Sequence, residues 1–106
     1  MELDYATAAE LLGQLGYVTR LKIVRELVKA GFSGMSVGEI QRELDVPNST
    51  LSHHLSQLKQ VGLIRQERES TVLRCLVDFH KIDEIVRFLT EKCCTKDVSQ
   101  IRKSSK

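Results

Sequence analysis

Three cysteines carry the most distinctive chemistry of this chain, with Cys75 standing alone and Cys93 and Cys94 adjacent to each other. Thiolates are soft ligands that suit trivalent arsenic, antimony, mercury, cadmium and Zn²⁺ and disfavour Mg²⁺ or Ca²⁺. Two thiolates suffice for a monomethylated trivalent arsenical, which has two exchangeable positions, whereas inorganic arsenite takes up to three. The sequence therefore predicts a metalloid site made of Cys75 and Cys93, with Cys94 as an optional third ligand. No obligatory cofactor is expected, and the candidate ligands are arsenite, methylarsenite and antimonite.

Two other interpretations of the cysteines stay open. Free cysteine is among the most buried residue types, so Cys75 on a strand also fits a simple core position. Lys92 and Lys96 flank the adjacent pair and favour the thiolate, so a redox or persulfide switch using Cys75 and Cys93 is a rival prediction. An odd number of cysteines, two of them adjacent, is a poor disulfide framework and favours reduced thiols in the cytoplasm.

Small polar side chains form a second cluster of candidates, in one short stretch of sequence: Asn48, Ser49, Thr50, Ser52 and His53. Asn pairs with adenine, and Ser or Thr meets several base edges or phosphates, so this cluster predicts contacts in a DNA major groove. His53 and His54 also resemble a metal pair, but adjacent helical positions point about 100° apart, which favours a groove contact and a packing role instead. The candidates for phosphate contacts are Thr19, Arg20, Arg65, Arg68 and Arg74.

Two short amphipathic helical patterns position that polar cluster. The first pattern has apolar residues at helical spacing, and Ser36 with Glu39 at its start fits a capping box. Pro47 separates the two patterns, because proline disfavours helical geometry in the residue before it and suits the first turn of a helix. The second pattern has an apolar stripe of Leu51, Leu55, Leu58 and Val61. This arrangement is typical of a helix-turn-helix, whose second helix reads base edges.

The remaining patterns predict helices over residues 6–15, 18–28 and 79–93 and a hairpin of two short strands, 63–64 and 71–77, around a polar tip at 67–70. Asp78 is the expected cap of the last helix. A hairpin directly after a reading helix is a wing. The order α-α-α-α-β-β-α therefore predicts a mainly α fold with a small β-hairpin, a winged helix-turn-helix over residues 1–94. Residues 95–106 are predicted to be a polar, basic, disordered tail.

Charge is distributed unevenly around a net value of +2. Residues 1–46 hold five Lys/Arg and seven Asp/Glu, and residues 47–106 hold eleven and seven, so the second half suits phosphates. No apolar run approaches the roughly 18 residues of a membrane helix, and Glu2 and Asp4 stand where a signal peptide would be basic. We expect a cytoplasmic protein with no membrane partner. The absence of a nucleophile–histidine–acid arrangement and of a glycine-rich phosphate loop argues against an enzyme.

The segments STLSHHLSQL at 49–58 and VGLI at 61–64, followed by a charged wing, resemble the ArsR/SmtB family of bacterial winged-helix repressors. The resemblance spans about residues 5–94. It implies a homodimer built on the first and last helices, which binds double-stranded operator DNA and releases it when an inducer binds. One departure lies at the wing tip, residues 68–71, which lacks the glycine and second arginine often found there, so wing contacts to DNA are expected to be weaker.

The resemblance also bears on what is sensed. Many arsenite or cadmium sensors of the family carry a Cys-x-Cys pair on the helix before the turn, where this chain has residues 37–39 without cysteine. The adjacent cysteines late in the last helix resemble a branch in which arsenical binding lies towards the C-terminus. Zinc-sensing relatives use an Asp-x-His pair with two later ligands on the last helix, and the corresponding alternative metal site here is Asp78, His80, Glu91 and Cys94.

Overall fold

The structure is a computed structural model, and it describes residues 3–97. In chain order the elements are α1 (Tyr5–Gln14), α2 (Val18–Ala30), a 3-10 turn (Gly31–Ser33), β1 (Met35–Ser36), α3 (Val37–Leu44), α4 (Asn48–Gln60), β2 (Ile64–Glu69), β3 (Val72–Val77) and α5 (Phe79–Thr90). The predicted mainly α fold with a small hairpin is confirmed. The predicted domain 1–94 begins two residues before the described part of the chain. Of the predicted tail 95–106, residues 98–106 lie outside the described residues.

The helix-turn-helix forms where its capping signals predict it. The amide of Glu39 donates to Ser36 Oγ at 3.0 Å, and the amide of Ser36 donates to Glu39 Oε1 at 2.8 Å, so the capping box at the start of α3 is complete. Asp45 ends α3 in the left-handed region with φ of 54°. Pro47 precedes α4 as its N-cap with φ of −61° and ψ of 147°, so the chain turns within three residues between the two helices.

The wing is a hairpin with a two-residue turn, in which Ile64 pairs with Val77 and Glu69 pairs with Val72. The first strand runs five residues beyond the predicted end at Ile64, because charged side chains are tolerated on a strand that is exposed along most of its length. Ser70 adopts φ of 59° in the turn, which is the position where glycine is usual.

A third strand, β1, was not predicted from the sequence. It pairs antiparallel with β3, which gives the sheet order β1-β3-β2. Its two residues immediately precede α3, so the sheet fixes the start of the helix-turn-helix. Gly34 permits this pairing, since a Cβ atom there would lie 2.3 Å from the carbonyl oxygen of Cys75.

The hydrophobic core joins the helix-turn-helix to the sheet. Leu51, Leu55 and Leu58, three of the four residues of the predicted stripe on α4, are buried, and Val61 is half-buried. Ile40 of α3 is fully buried in the same cluster. The face of α4 opposite this stripe is therefore left to solvent.

The last helix is shorter than predicted. It begins after Asp78, whose side chain accepts from the Lys81 amide at 3.1 Å, so the predicted cap is confirmed. It ends at Thr90 instead of residue 93, because Glu91 adopts an extended conformation with ψ of 145°, and Lys92 and Cys94 follow with positive φ values of 59° and 68° that are incompatible with a helix. Among the described residues, no helix is long and apolar enough to cross a bilayer.

Candidate DNA-binding surface and thiol pair

The polar cluster at the start of α4 is fully presented to solvent. The five predicted groove residues are all exposed, and they interrupt or precede the buried leucines: Asn48, Ser49, Thr50, Ser52 and His53. The side chains of these five residues make no hydrogen bond to any described residue, and only their backbone groups bond within the helix. Their side-chain donors and acceptors are therefore available to base edges. We call these five residues the reading surface.

The arginines of the wing differ in how free they are. Arg68 is exposed and makes no hydrogen bond or ion pair with any described residue. Arg65 is exposed but lies 3.2 Å from a carboxylate oxygen of Glu67. Arg74 is half-buried at the base of the wing, where it donates to the Ser33 carbonyl at 3.0 Å and lies 3.3 Å from Glu69. Arg68 is therefore the wing residue best placed to meet a phosphate, and Arg74 braces the sheet.

Arg20 does not fit the phosphate contact predicted for it. Arg20 is only 4% exposed, and its Nε donates to Nδ1 of His54 at 2.9 Å. Its Nη1 donates to the side-chain oxygen of Gln14, and its guanidinium lies 3.9 Å from the ring centroid of Tyr17. A buried guanidinium needs acceptors, and Arg20 finds them within the domain, between α1, α2 and α4. Thr19, the neighbouring candidate, is half-buried.

Cys75 lies in the core of the sheet. It is fully buried, and Nε2 of Gln66 donates to its sulfur at 3.4 Å. Burial raises the pKa of the Cys75 thiol above its ordinary value, which outweighs the opposite effect of the Gln66 hydrogen bond. Cys75 is therefore a neutral, protected thiol, as the simple core interpretation expects.

Cys93 and Cys94 form an exposed pair just beyond α5, with their sulfurs 2.8 Å apart. The hydrogen bond shared with Cys93 raises the pKa of Cys94, because Cys94 must keep its proton to donate it, and desolvation and the charge of Cys93 act in the same direction. The prediction that Lys92 and Lys96 would favour the thiolate is not matched at Cys94, because the contact with Cys93 and desolvation both favour the neutral thiol there.

Neither predicted four- or three-residue ligand set is assembled within one chain. Among residues 3–97 there is no group of three or more His, Cys, Asp or Glu side chains placed to hold a metal ion. Cys75 is therefore not gathered with the Cys93–Cys94 pair into a three-thiol site. In the alternative set, Asp78 caps α5 and His80 lies 3.5 Å from Glu84.

Two residues with clear structural roles were missed in the sequence. Gln66 reaches the sulfur of Cys75 across the hairpin, and no sequence pattern signals that contact. His54 was assigned only a packing role, although its position between Leu51 and Leu55 on the apolar stripe signals that it faces inward. Its partner Arg20 is 34 residues away in sequence, which the local pattern does not reveal.

A two-helix unit with an exposed polar second helix, followed directly by a charged hairpin, defines a winged helix-turn-helix of the DNA-binding class. Comparison with known proteins supports this class. Residues 19–67 match the family described as "Helix-turn-helix domain". The chain is 34% identical over 87 residues to the uncharacterized HTH-type transcriptional regulator MJ1325 of Methanocaldococcus jannaschii, which covers 82% of this chain and 96% of that protein.

Two further similarities are to proteins named as ArsR regulators. The chain is 41% identical over 59 residues to the putative arsenical resistance operon repressor ArsR of Halobacterium salinarum, over 56% of this chain and 45% of that protein. Its fold matches the crystal structure of the ArsR family transcriptional regulator RHA00566 with a TM-score of 0.76 and 18% identity, over 94% of this chain and 100% of that one. The chain belongs to the helix-turn-helix transcriptional regulators, and its fold is that of ArsR family regulators.

Proposed function

We propose that this protein is a homodimeric, operator-binding repressor that releases its DNA when a trivalent arsenical binds cysteine thiols. The exposed Cys93–Cys94 pair, with sulfurs 2.8 Å apart, carries the proposal, because two neighbouring soft donors are what a methylated trivalent arsenical requires. The name of the Halobacterium salinarum relative, a putative arsenical resistance operon repressor, supports the same inducer class. The reading surface on α4 contacts base edges, and Arg68 contacts a phosphate.

The adjacent pair binds a bridging atom more readily than it forms a disulfide. Consecutive Cα atoms lie about 3.8 Å apart across a trans peptide, whereas disulfide-bonded cysteines need roughly 4.4–6.8 Å. A disulfide between Cys93 and Cys94 is therefore strained. An arsenic atom bonded to both sulfurs closes a larger ring and avoids that constraint.

The binding step is an exchange of ligands on arsenic. Methylarsenite carries two hydroxyl groups, and each As–O bond is replaced by an As–S bond to Cys93 or Cys94. Each departing hydroxyl takes the proton of the thiol that replaces it and leaves as water, so two thiols yield two waters. Cys75 takes no part in this first step because its sulfur is buried. The proposed pair thus differs from the sequence prediction, in which Cys75 and Cys93 were the two main ligands.

Dimerisation is proposed through α1 and α5, which expose large apolar side chains. Tyr5 of α1 is 84% exposed, and Val86 and Leu89 of α5 are 53% and 62% exposed. The ring of Tyr5 meets Phe88 edge-on at 5.3 Å, so these side chains share one face of the α1–α5 unit. A second copy of the chain covering that face would set the separation of the two reading helices on a two-fold operator.

That arrangement also connects the inducer to DNA. Cys93 and Cys94 follow α5 directly, so a bridging arsenic atom reorganises the turns at the edge of the proposed dimer face. A change in that face alters the spacing of the reading helices, which provides the coupling between two distinct sites that allosteric release requires.

The test is operator release measured by fluorescence anisotropy, with DNA from the region upstream of the chain's own gene. Methylarsenite, arsenite, antimonite, Zn²⁺, Cd²⁺ and a persulfide donor are titrated in separate runs with and without excess dithiol. We expect release by an arsenical and reversal by dithiol. Release by Zn²⁺ or Cd²⁺ alone, or by the persulfide donor alone, would contradict the proposal and favour a metal or redox sensor of the same fold.

Cysteine variants identify the site. Cys93→Ser and Cys94→Ser should each retain operator binding and lose the response to methylarsenite. Cys75→Ala is the matched control and should retain the response, because its sulfur is buried. Loss of the response in Cys75→Ala, with both other variants responsive, would show that the pair is not the site.

Light scattering on wild type and Leu89→Glu tests the dimer, since a charge on the proposed face should favour the monomer.

A further inference from the structure

A cluster of four side chains joins α4 to the rest of the domain on the side opposite the reading surface. Gln14 ends α1, Tyr17 immediately precedes α2, Arg20 lies in the first turn of α2 and His54 lies in α4. Arg20 is a charged residue buried among the described residues of the core, with 4% of its surface exposed. It donates to Gln14 and His54 and stacks over Tyr17, so one cation connects three helices.

The proton positions in this cluster follow from its donors. A guanidinium is always protonated in proteins and has donors but no acceptor. Because Arg20 Nε donates to Nδ1 of His54 at 2.9 Å, Nδ1 must carry a lone pair, and the neutral imidazole carries its proton on Nε2. Protonation at Nδ1 would set two N–H groups and two positive charges against each other.

We propose that Arg20 and His54 are positioning residues that lock the reading helix α4 onto α2, and that the lock forms only with neutral His54. This inference rests on the proposed binding of operator DNA by α4. Ser52 and His53 of the reading surface immediately precede His54, so the lock on the inner side of α4 fixes the direction in which they face outward.

The charges around His54 act in the same direction as this geometry. Burial lowers the pKa of His54 below its usual 6.5, and the charges of Arg20 on α2 and His53 on α4 lower it further. Tyr17 lies 6.3 Å away between ring centroids, and Gln14 is uncharged. Since the pKa of the locked state lies below that of a free histidine, the contribution of the lock is complete above about pH 6.5 and is lost as the pH falls below that value.

Loss of the lock also leaves Arg20 without one of its acceptors. A buried charge that loses its partner is strongly unfavourable, so the α2–α4 contact loosens instead of retaining an unpaired guanidinium. Operator affinity should therefore fall by up to about tenfold per pH unit below about pH 6.5, the limit for one linked proton.

The experiment compares the pH dependence of operator binding in wild type and His54→Asn at constant ionic strength. The Asn amide oxygen replaces Nδ1 as an acceptor and does not titrate. His54→Asn should bind within about threefold of wild type near pH 8 and should lose the acid decline. Arg20→Lys should weaken binding at all pH values, because lysine lacks the planar fork. Arg25→Lys, at an exposed site on the same helix, should not.

An acid decline in His54→Asn equal to that of wild type would overturn the proposal. Nitrogen NMR on the wild-type protein decides the case even if a variant fails to fold. The His54 ring should carry its proton on Nε2 and titrate below 6.5, and a proton on Nδ1 or a pKa at or above 6.5 would also overturn it. Absence of sequence-specific binding by wild type near pH 8 would instead refute the proposed function. The Arg20–His54 interaction would then be tested by the NMR result alone.

Discussion

Gly34 offers a sharp test of how the sheet positions the helix-turn-helix. Gly31 and Gly34 both have positive φ, 70° and 67°, with ψ of −146° and −167°, a region that costs other residues about 1–3 kcal/mol. A Cβ at Gly31 meets nothing within 4 Å. A Cβ at Gly34 would lie 2.3 Å from the carbonyl oxygen of Cys75 and 2.9 Å from the side chain of Leu76.

The comparison of Gly34→Ala with Gly31→Ala therefore separates the clash from the backbone strain. Both variants carry similar strain, and only Gly34→Ala adds overpacking against backbone, worth about 1–3 kcal/mol more. We expect Gly31→Ala to lower the free energy of unfolding by about 1–3 kcal/mol and Gly34→Ala by about 2–6 kcal/mol. That is a large part of the 5–15 kcal/mol typical of a domain.

Urea unfolding followed by circular dichroism measures both values, with the slope m checked for constancy. Operator binding supplies a second readout, because separation of β1 from β3 also releases the start of α3. Equal destabilisation of the two variants within about 0.5 kcal/mol, the usual scatter of surface substitutions, would refute the argument from close approach.

Three substitutions test the helix-turn-helix and its surfaces. Ser36→Ala removes the acceptor for the Glu39 amide and should lower the free energy of unfolding by about 1 kcal/mol in urea melts, whereas an unchanged midpoint would contradict the cap. Arg68→Ala should reduce the slope of log affinity against log salt by about 1, and Arg87→Ala, paired with Asp83 on α5, should leave it unchanged. Ser52→Ala should lower discrimination between operator and random DNA by about 1–3 kcal/mol, and equal discrimination would remove Ser52 from the reading surface.

The parts of the fold that were predictable from the sequence are those governed by local signals. The capping box, Pro47 and the leucine stripe each act within a few residues, so they placed α3 and α4 correctly. The β1 strand was not predictable, because two residues carry no periodicity and their pairing with β3 spans about 40 residues. The end of α5 was missed because nothing in the types of Lys92 and Cys94 signals their positive φ.

The candidate site divides in the same way. Exposure of the polar residues of α4 follows from the position of its leucines, so the reading surface was predictable. The roles of Arg20 and Cys75 depend on partners far away in sequence, His54 and Gln66 among them, so residue type alone suggested a phosphate contact and a metalloid ligand. The structure instead places both side chains inside the domain.

The raised pKa of Cys94 has a consequence for which inducer the thiol pair prefers. Binding of Zn²⁺ or Cd²⁺ to two thiols releases protons, so a raised thiol pKa opposes it at neutral pH. Exchange of two hydroxyl groups of methylarsenite for two thiols releases only water, so the same raised pKa carries no penalty.

We therefore expect the affinity for methylarsenite to be nearly independent of pH between about 6 and 8, a range in which Cys94, with its raised pKa, remains protonated. The affinity for Cd²⁺ should rise by about tenfold per pH unit for each proton displaced. Isothermal calorimetry in buffers of different ionisation enthalpy measures the protons released by each ligand. Proton uptake on methylarsenite binding, together with no proton release on Cd²⁺ binding, would show that the pair is already a dithiolate, and the pair would then not select hydroxylated arsenicals over divalent cations in this way.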